Sequence, residues 1–581
     1  MTLIVMGRRR GASAAYEYLR PTVALPTGTS FNASTGRVEG DVYAPTFPTQ
    51  TGTVHLVANE SQFTTALTNA VRGDTIRLTA DITLTAQRTL PNPSGAGWVV
   101  IEGDTLPSTA YGAGIVTSAE VTAMRRLIIG FGSGVGLQAP STTLTRLWIR
   151  GIHFACDTTS RSFLQFINIR DTSNPTDNGL FPDEVVIDRC GFSGPSSGDV
   201  SQRAVTLNTR RSRVTGCRFV DIIASGSENK AVAFWEGSGP YQIDWNYMEA
   251  TGMSVLIGGT AMAGNVDALV PSDVLLRRNH MIKPYRWNQH HPDYNAATYS
   301  RITAQSKNCF ELKVGRRVCL TENVFEGAYE SAQTGWAVLL KQDGNGQTAQ
   351  VTSDVLTYLN RAINCNRAFG VSMDGLNQTS SSPIARLHFV ANVASNGNAT
   401  TLASNTASHT IILVPAETST AVTTYNVTFS DWAWRWNTIV AARIGSQGFE
   451  FSGGPDARRK IDGLTITDTI AWTPASISPT NGIGFMGGGA WNGHGNPTLT
   501  ANASTLTVER VLAVGNTCTM TNYPTPATSY NEATVGNVGF TNYDSDLTIA
   551  SGTYATAGAG GRPLGAPVAL LTTATTGVRQ T

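Results

Sequence analysis

The chain has 581 residues, of which 41% are hydrophobic and only 14% are charged, against the ~25% charged residues of ordinary globular proteins. Recurrent apolar segments exclude a disordered chain, and 58 glycines favour an all-β protein with many turns. A net charge of +1 argues against a nucleic-acid-binding protein, which needs a clustered basic surface.

The N-terminus reads MTLIVMGRRRGAS, so a short apolar run precedes the positive charges. A secretory signal has the reverse order and a longer apolar segment. The chain also lacks a run of about 18 apolar residues, the length a membrane-spanning helix needs. We therefore expect no ordinary export and no membrane insertion. Residues 1–54, rich in Thr, Pro and Gly, are predicted to be an irregular head or attachment segment.

Residues 55–90 are predicted to cap the N-terminal end of a repeat domain. Phe63, Leu67 and Val71 recur at four-residue spacing and predict a short amphipathic helix. Ser61 is expected to begin this helix and Gly73 to end it. A helix in this place covers the open edge of the first coil of the repeat domain.

Residues 91–535 repeat one pattern, as in DEVVIDRCGF (183–192) and RRVCLTENVF (316–325), and a second strand such as CFELKV (309–314) lies between successive copies. A short alternating strand cannot bury its apolar face alone, so the strands must stack on each other. We predict a right-handed parallel β-helix, an all-β solenoid with at least two strands per coil. Gly315-Arg316-Arg317 is expected to be a bend between two strands. Residues 536–581 are predicted to form the last coil and a C-terminal tail.

Seven cysteines are present without a CxxC motif. Cys190 and Cys217 hold the same place in consecutive repeats, which predicts stacked buried thiols rather than a disulfide. Asn279 and Asn323 share another repeat position in the same way. The pattern predicts no metal site and no cofactor.

A family resemblance rests on three segments. They are VHLVANESQFTTALTNAVRGDTIRLTADITL (54–84), DVLLRRNHMIKPYRWN (273–288) with the strands that follow it, and GNVGFTNYDSDLTIASGTYATAGAGGRPLGAPVALL (536–571). These resemble bacterial right-handed parallel β-helix repeat proteins of the pectate-lyase-like superfamily. The resemblance covers roughly residues 55–571 and implies the fold rather than an activity, because one fold serves many functions. Acidic residues expected in the relatives are replaced here by Pro563 and Pro567.

A β-helix with a short N-terminal segment outside that resemblance looks like a phage virion protein of the tailspike, fibre or decoration type. The likeness implies a homotrimer at the virion surface, with residues 1–54 contacting other virion proteins. It also implies a structural role or binding of a host-surface glycan. Ten residues, 572–581, follow the last resembling segment, so the separate trimerisation domain of a standard tailspike is not expected.

Outward acidic residues give a candidate catalytic pair. Alternation turns Glu311 and Lys313 outward from one strand and Asp374 outward two coils later, with Lys341 on the coil between. Coils lie about 4.8 Å apart, so the two carboxylates would be about 9.6 Å apart, at the upper end of the range for inverting glycosidases. Lys341 would lower both pKa values, which disfavours a general acid. A salt-bridged column on a solvated sheet is the alternative interpretation.

The insertion KPYRWNQHHPDYNAATYSR (283–301) is a candidate binding wall, because aromatic rings stack on sugars and histidines exchange protons. The candidate substrate-binding residues are Tyr285, Trp287, His290, His291, Tyr294, Lys313 and Lys341. The aromatic residues are equally suited to packing against neighbouring coils or against a trimer partner. A metal site at His-His-Pro-Asp lacks further ligands and is not predicted.

Three functions remain open at this point. The leading hypothesis is a virion-surface β-helix with a structural or glycan-binding role. A polysaccharide lyase or glycoside hydrolase is the second. The chain has no adjacent Asp-Asp pair, and its Gly-His-Gly in WNGHGNP (491–497) lacks a companion Arg-Ile-Lys, which argues against the polygalacturonase-type hydrolases. A secreted, extracellular adhesin is the third.

Overall fold

The computed structural model describes most of the chain. The described residues are 15–140, 143–156, 162–170, 178–195, 197, 199–259, 267–289, 291–302, 306–329, 335–342, 351–372, 384–395, 409–413, 429–440, 447–452, 461–472, 486–488, 503–514, 530–532, 535–542 and 546–580.

Three long parallel sheets build a solenoid in these residues. The 14 strands of the first sheet are Val54–Val57, Thr75–Leu78, Val99–Gly103, Thr145–Arg150, Asp183–Asp188, Ser212–Thr215, Tyr241–Asp244, Ser272–Arg277, Gly315–Thr321, Thr352–Tyr358, Ile384–Val390, Phe429–Arg435, Ile461–Thr467 and Ala503–Glu509. The 14 strands of the second sheet are Ile82–Leu84, Arg125–Ile129, Ile152–Cys156, Gly191–Ser193, Arg218–Ile222, Tyr247–Ala250, His280–Ile282, Val324–Glu326, Arg361–Ile363, Val393–Ser395, Thr438–Val440, Ile470–Trp472, Leu512–Val514 and Tyr530–Glu532. The 12 strands of the third sheet are Arg88–Thr89, Val135–Gln138, Phe163–Ile169, Val200–Leu207, Lys230–Phe234, Met253–Ile257, Phe310–Leu312, Trp336–Lys341, Arg367–Ser372, His409–Leu413, Gln447–Ser452 and Met486–Gly488.

Each complete coil therefore contributes one strand to each sheet, in the order first, second, third. The prediction of a right-handed parallel β-helix is confirmed, with three strands per coil rather than the two seen in the repeat pattern. The expected bend at Gly315-Arg316-Arg317 is wrong, because these residues begin the strand Gly315–Thr321. Arg317 and its neighbour Asp273 both have positive φ, 52° and 54°, and are skipped in the pairing register. They form stacked bulges rather than a bend.

The interior is a continuous apolar core made by the inward residues of all three sheets. Equivalent side chains stack from coil to coil, as shown by the Phe154, Phe192 and Phe219 rings, whose centroids lie 5.0 and 4.5 Å apart. Such nearest-neighbour packing is what stabilises a solenoid.

A corner of two residues joins the first and second sheets, and its first residue takes a left-handed conformation. Trp245, Arg278, Glu322 and Leu359 occupy this first position in successive coils with φ between 52° and 60°. This left-handed conformation strains a residue that carries a side chain, so the surrounding contacts must hold it in place.

A ladder of asparagines occupies the second position of these corners and holds them. Asn246, Asn279, Asn323, Asn360 and Asn392 are fully buried. Each backbone N–H donates to the side-chain oxygen of the next member at 3.0–3.1 Å. The shared position of Asn279 and Asn323 is therefore confirmed, and Asn437 ends the run.

Buried thiols extend the ladder in the earlier coils. The Cys190 backbone N–H donates to Cys217 Sγ at 3.4 Å, and the Cys217 N–H donates to Asn246 Oδ1 at 2.9 Å. Both cysteines are free and buried, which confirms stacked thiols in place of a disulfide. Among the described cysteines, none is paired.

The predicted capping helix is present as Glu60–Asn69, with Phe63 and Leu67 buried against the first coil. Its N-cap is Asn59, whose side chain accepts from Gln62 N at 3.0 Å, so the expected cap at Ser61 is wrong. Val71 lies beyond the helix and is 57% exposed, which corrects its place in the apolar stripe.

Residues 15–50 lie along the outer face of the first sheet, running against the direction of the solenoid. Tyr18 packs edge-on against Trp436 at 4.7 Å, whereas Phe47, near the other end of the segment, packs against Trp148 at 5.2 Å. Between them, Arg37 forms a two-pronged ion pair with the buried Glu322. We call residues 15–50 the N-terminal strap.

The C-terminal residues also fold back over the solenoid. The helix Val568–Ala574 packs into one apolar cluster with the N-terminal strap and with outer residues of the first sheet such as Leu356 and Tyr358. Beyond it, Arg579 and Gln580 reach the second sheet. Within the described residues, side-chain hydrogen bonds and ring contacts tie both terminal segments to the first two sheets and their corners.

The remaining regular elements of the described residues are short. The other α-helices are Ser118–Ala123 and Ala296–Tyr299. Two antiparallel pairs join Thr29–Asn32 to Arg37–Gly40 and Phe540–Asn542 to Asp546–Ile549. The 3₁₀ helices are Glu17–Leu19, Asn178–Leu180, Asp267–Leu269, Tyr285–Trp287, Ser300–Ile302, Val535–Val538 and Thr553–Ala555.

Candidate functional site

The candidate acidic residue Glu311 points away from the core, as the alternation predicts. Its neighbours Phe310 and Leu312 are buried in the core on the other side of the strand. The pairing register places Leu339 level with Glu311 on the next coil and Gly370 level with it two coils later. Asp374, the proposed partner, lies outside the described residues, so the catalytic pair stays a prediction.

Glu311 is nevertheless only 5% exposed, because neighbouring polar side chains cover it. Its carboxylate accepts a hydrogen bond from Asn308 Nδ2 at 3.0 Å and lies 3.7 Å from Lys313 Nζ. The stem of Lys313 lies over Gly259, where an added Cβ would come within 2.9 Å of Lys313 Cδ. Glycine at this position therefore leaves the room that the lysine occupies.

Four of the six lysines of the chain lie on or beside this outer surface of the third sheet, and we call them the lysine face. They are Lys230, Lys307, Lys313 and Lys341. Lys341 ends the strand Trp336–Lys341 two residues after Leu339, on the same side as Glu311. The sequence singled out Lys313 and Lys341, and the structure adds Lys230 and Lys307.

Glu228 bridges two members of the lysine face. It accepts a hydrogen bond from Lys307 and lies 3.9 Å from Lys230 Nζ. Burial lowers the pKa of Lys230 to about 8, and the charge of Arg203 works in the same direction. Burial acts to raise the pKa of Glu228, but the hydrogen bond from Lys307 and the charges of Lys307 and Lys230 hold it below its ordinary value. Crowded cations of this kind favour an anionic ligand.

Tryptophan rings lie beside the same surface. The Arg367 guanidinium lies 5.1 Å from the ring centroid of Trp336, and that of Arg203 lies 4.5 Å from the ring of Trp235. Both rings are buried, so in this structure each packs against its guanidinium as a cation–π pair. Sequence analysis missed these tryptophans, because their strands resemble every other strand of the third sheet.

The aromatic insertion (283–301) folds onto the second sheet. Trp287 is fully buried, and its indole N–H donates to Asp221 Oδ1 at 3.1 Å. The Tyr299 hydroxyl donates to Asp221 Oδ2 at 3.1 Å, and Tyr294 packs against the same apolar cluster. Trp287 thus packs against a neighbouring coil in this structure. This is the alternative that the sequence left open.

Tyr285 and His291 form a stacked pair nearer the surface, with ring centroids 4.4 Å apart and planes 13° apart. Both side chains are partly exposed, and His290 lies outside the described residues. The Tyr285 hydroxyl donates to Glu326 Oε1 at 3.0 Å and accepts from Asn364 Nδ2 at 2.6 Å. The structure therefore brings Tyr285 and His291 together and buries Trp287 away from them.

The insertion is anchored by two buried carboxylates that the sequence did not single out. Arg286 donates to Glu249 at 2.6 Å, while Tyr285 donates to Glu326. Burial raises the pKa of Glu249, whereas in Glu326 hydrogen bonds from Arg579 and His280 overcome the effect of burial and lower the pKa to about 2. The only sequence signal was an acidic residue at an outward position of each strand.

Within the described residues, no three His, Cys, Asp or Glu side chains are grouped to hold one metal ion. No helix in the described part of the chain is long and apolar enough to cross a membrane.

The fold is a right-handed parallel β-helix, and the lysine face lies on the outer side of its third sheet. No family model and no curated protein matches the chain. Among solved structures, the PL6 family alginate lyase AlyGC is similar at 11% identity and TM-score 0.40, over 83% of this chain and 53% of the lyase chain. The chain thus spans about half the length of that structure.

Two further solved structures are similar at comparable levels. The Dettilon tailspike protein matches at 12% identity and TM-score 0.35, over 75% of this chain and 62% of the tailspike chain. A PL6 alginate lyase in complex with a trisaccharide matches at 11% identity and TM-score 0.33, over 81% of this chain and 96% of its own.

Proposed function

We propose that the protein is a surface β-helix of a phage particle that binds an acidic host-surface polysaccharide through the lysine face. The observation that carries the proposal is the gathering of four of six lysines on one side of the third sheet, where Lys313 and Lys341 are partly exposed and Lys230 and Lys307 are buried. A single surface with this charge attracts carboxylate, sulfate or phosphate groups spaced along a glycan chain. The Tyr285–His291 pair lies on the second sheet of the coil that carries Lys307 and Lys313, and it is a separate candidate contact for sugar rings.

Glycan binding is tested by titrating acidic and neutral polysaccharides into the purified protein at low and high salt. We expect binding of the acidic chains that weakens with salt, because exposed charges are screened. Lys313→Gln combined with Lys341→Gln should weaken it about tenfold, which corresponds to about 1.4 kcal/mol. Arg126→Gln, on the first coils of the second sheet, is the matched control and should bind like wild type. Equal binding of neutral and acidic chains would contradict the proposal.

The same incubation tests the polysaccharide lyase or hydrolase hypothesis. Released reducing ends or unsaturated uronates that disappear in Glu311→Gln and Asp374→Asn would favour an enzyme with the predicted pair. The specific observation in its favour is the outward carboxylate of Glu311 within reach of Lys313.

Particle attachment and assembly are tested separately. We propose a homotrimer at the virion surface, with residues 1–54 contacting other virion proteins. Sedimentation of the full chain should give three times the mass of one chain, and the protein should be found in purified particles. A monomer that is absent from particles would favour the extracellular adhesin.

A further inference from the structure

The C-terminal residues contact the same carboxylate that holds the aromatic insertion. Arg579 donates to Glu326 through Nε at 2.9 Å and through Nη2 at 2.5 Å. Tyr285 donates to Glu326 Oε1 at 3.0 Å. Two segments about 290 residues apart therefore meet on one side chain that is 2% exposed.

Histidine 280 completes this network and has one defined tautomer in it. The Gln580 backbone N–H donates to His280 Nδ1 at 3.1 Å, so Nδ1 is the acceptor. His280 Nε2, 3.0 Å from Glu326 Oε2, must then carry the hydrogen and donate to the carboxylate. Burial lowers the pKa of His280, which is consistent with a neutral ring.

Glu326 thus accepts four hydrogen bonds, two on each oxygen. Oε1 accepts from Arg579 Nη2 and Tyr285, and Oε2 accepts from Arg579 Nε and His280. The guanidinium supplies the only full positive charge among these four donors. Without it, a buried carboxylate would keep only two neutral donors, and it would have to turn toward water or bind a proton. Turning away breaks the hydrogen bond from Tyr285, and protonation weakens it because the charged acceptor is lost.

We propose that Arg579 is a positioning residue for the aromatic insertion. It holds the Glu326 carboxylate, which orients the Tyr285 hydroxyl, and the stacked ring of His291 follows Tyr285. The positioning role of Arg579 is argued from the contacts that Glu326 and His280 make with Arg579 and Gln580. Any effect of Arg579 on glycan affinity also depends on the proposed function.

Hydrogen exchange followed by mass spectrometry tests the positioning without any glycan. In Arg579→Ala, peptides covering residues 283–299 should exchange about tenfold faster, while peptides from the coils before residue 215 keep their wild-type rates. Arg579→Lys, which retains the charge, should restore part of the protection. Arg20→Ala, which removes another arginine ion pair near a chain end, is the matched control and should leave residues 283–299 unchanged.

Tyr285→Phe removes the hydrogen bond from the Tyr285 hydroxyl to Glu326 and leaves the C-terminal residues unchanged. It should speed exchange of the insertion to a similar degree, and the double variant with Arg579→Ala should add little, because both changes break one pathway. Additive effects, or unchanged exchange in Arg579→Ala, would overturn the proposal. A loss of protection throughout the solenoid would also overturn it, since Arg579 would then be a general stabilising residue.

The effect of Arg579 on glycan binding is measured in a separate experiment. If wild type binds an acidic polysaccharide, Arg579→Ala should weaken the affinity about three- to tenfold, and Arg579→Lys should recover part of it. If wild type binds none, the proposed function fails, while hydrogen exchange still decides the positioning role. Faster exchange with unchanged affinity would refute a part for the insertion in binding.

Discussion

Replacing Asn360 by leucine removes the central member of the asparagine ladder while keeping nearly the same side-chain volume. The Asn360 side chain donates to Leu320 O and Asn392 Oδ1 at 3.0 Å, and its oxygen accepts from the N–H and the side chain of Asn323 at 3.0 Å. Leucine satisfies none of these four hydrogen bonds.

The cost follows from which groups are left without a partner. Within the described residues, the Asn323 backbone N–H has no other acceptor and becomes a buried, unsatisfied donor, a loss of about 1–3 kcal/mol. The other three bonds contribute about 1 kcal/mol each, so we expect the free energy of unfolding to fall by about 4–6 kcal/mol. Asn360→Cys should cost less, because Cys217 fills the equivalent position and its sulfur accepts a backbone N–H.

The assay is urea unfolding combined with residue-level hydrogen exchange, because a solenoid loses its coils locally as well as globally. The Asn323 amide is the direct reporter and should exchange much faster in Asn360→Leu than in Asn360→Cys. If leucine costs less than 1 kcal/mol and leaves the Asn323 amide protected, the ladder does not stabilise the corners.

Three further predictions concern buried charge. Burial lowers the pKa of Lys283 to about 8, so the unfolded chain binds more protons between pH 8 and 10.5, and stability should rise with pH there; Lys283→Met should flatten this rise in unfolding measured against pH. Burial lowers the pKa of His153 to about 4, so stability should fall as the pH drops from 6.5 to 4, and His153→Gln should lack this loss in melting curves. Arg37→Ala leaves the buried Glu322 carboxylate with fewer charged partners, which should lower the free energy of unfolding by about 3 kcal/mol. Limited proteolysis should then cut the N-terminal strap while the solenoid stays intact. A strap that stays uncut would show that its docking does not depend on this ion pair.

The solenoid was predictable because its strongest signals are local and repeated. Cys190, Cys217, Asn279 and Asn323 each recur at one place in the repeat, and stacking the coils brings those places together. The boundary between the first two strands of each coil and the bulge at Arg317 were not predictable in this way, because the repeat pattern joins the two strands into one segment. A three-residue strand such as Val324–Glu326 is too short to stand out, and a left-handed arginine has no signature in the sequence.

For the candidate site, the sequence predicted only which side chains point outward from the core. The outward placement of Glu311 follows from period-2 alternation, but its burial depends on Asn308 and Lys313, whose positions follow from the path of the chain between coils. Trp287 shows the same limit. Its aromatic character suits both sugar stacking and packing, and only the position of Asp221, on a different coil, shows that it packs.

The N-terminal strap has a consequence for the order of events during synthesis. Arg435 donates to the carbonyl oxygen of Arg20 across a separation of 415 residues, and Tyr18 packs against Trp436. The strap leaves the ribosome before the solenoid, so Arg20 and Tyr18 contact residues that are made more than four hundred residues later. Coils can form one after another as they emerge, but the strap can close only when most of them are complete. Most solenoids can be shortened by whole repeats without affecting the other coils. In this one, a chain that stops before residue 435 lacks the residues that contact Arg20 and Tyr18 of the strap.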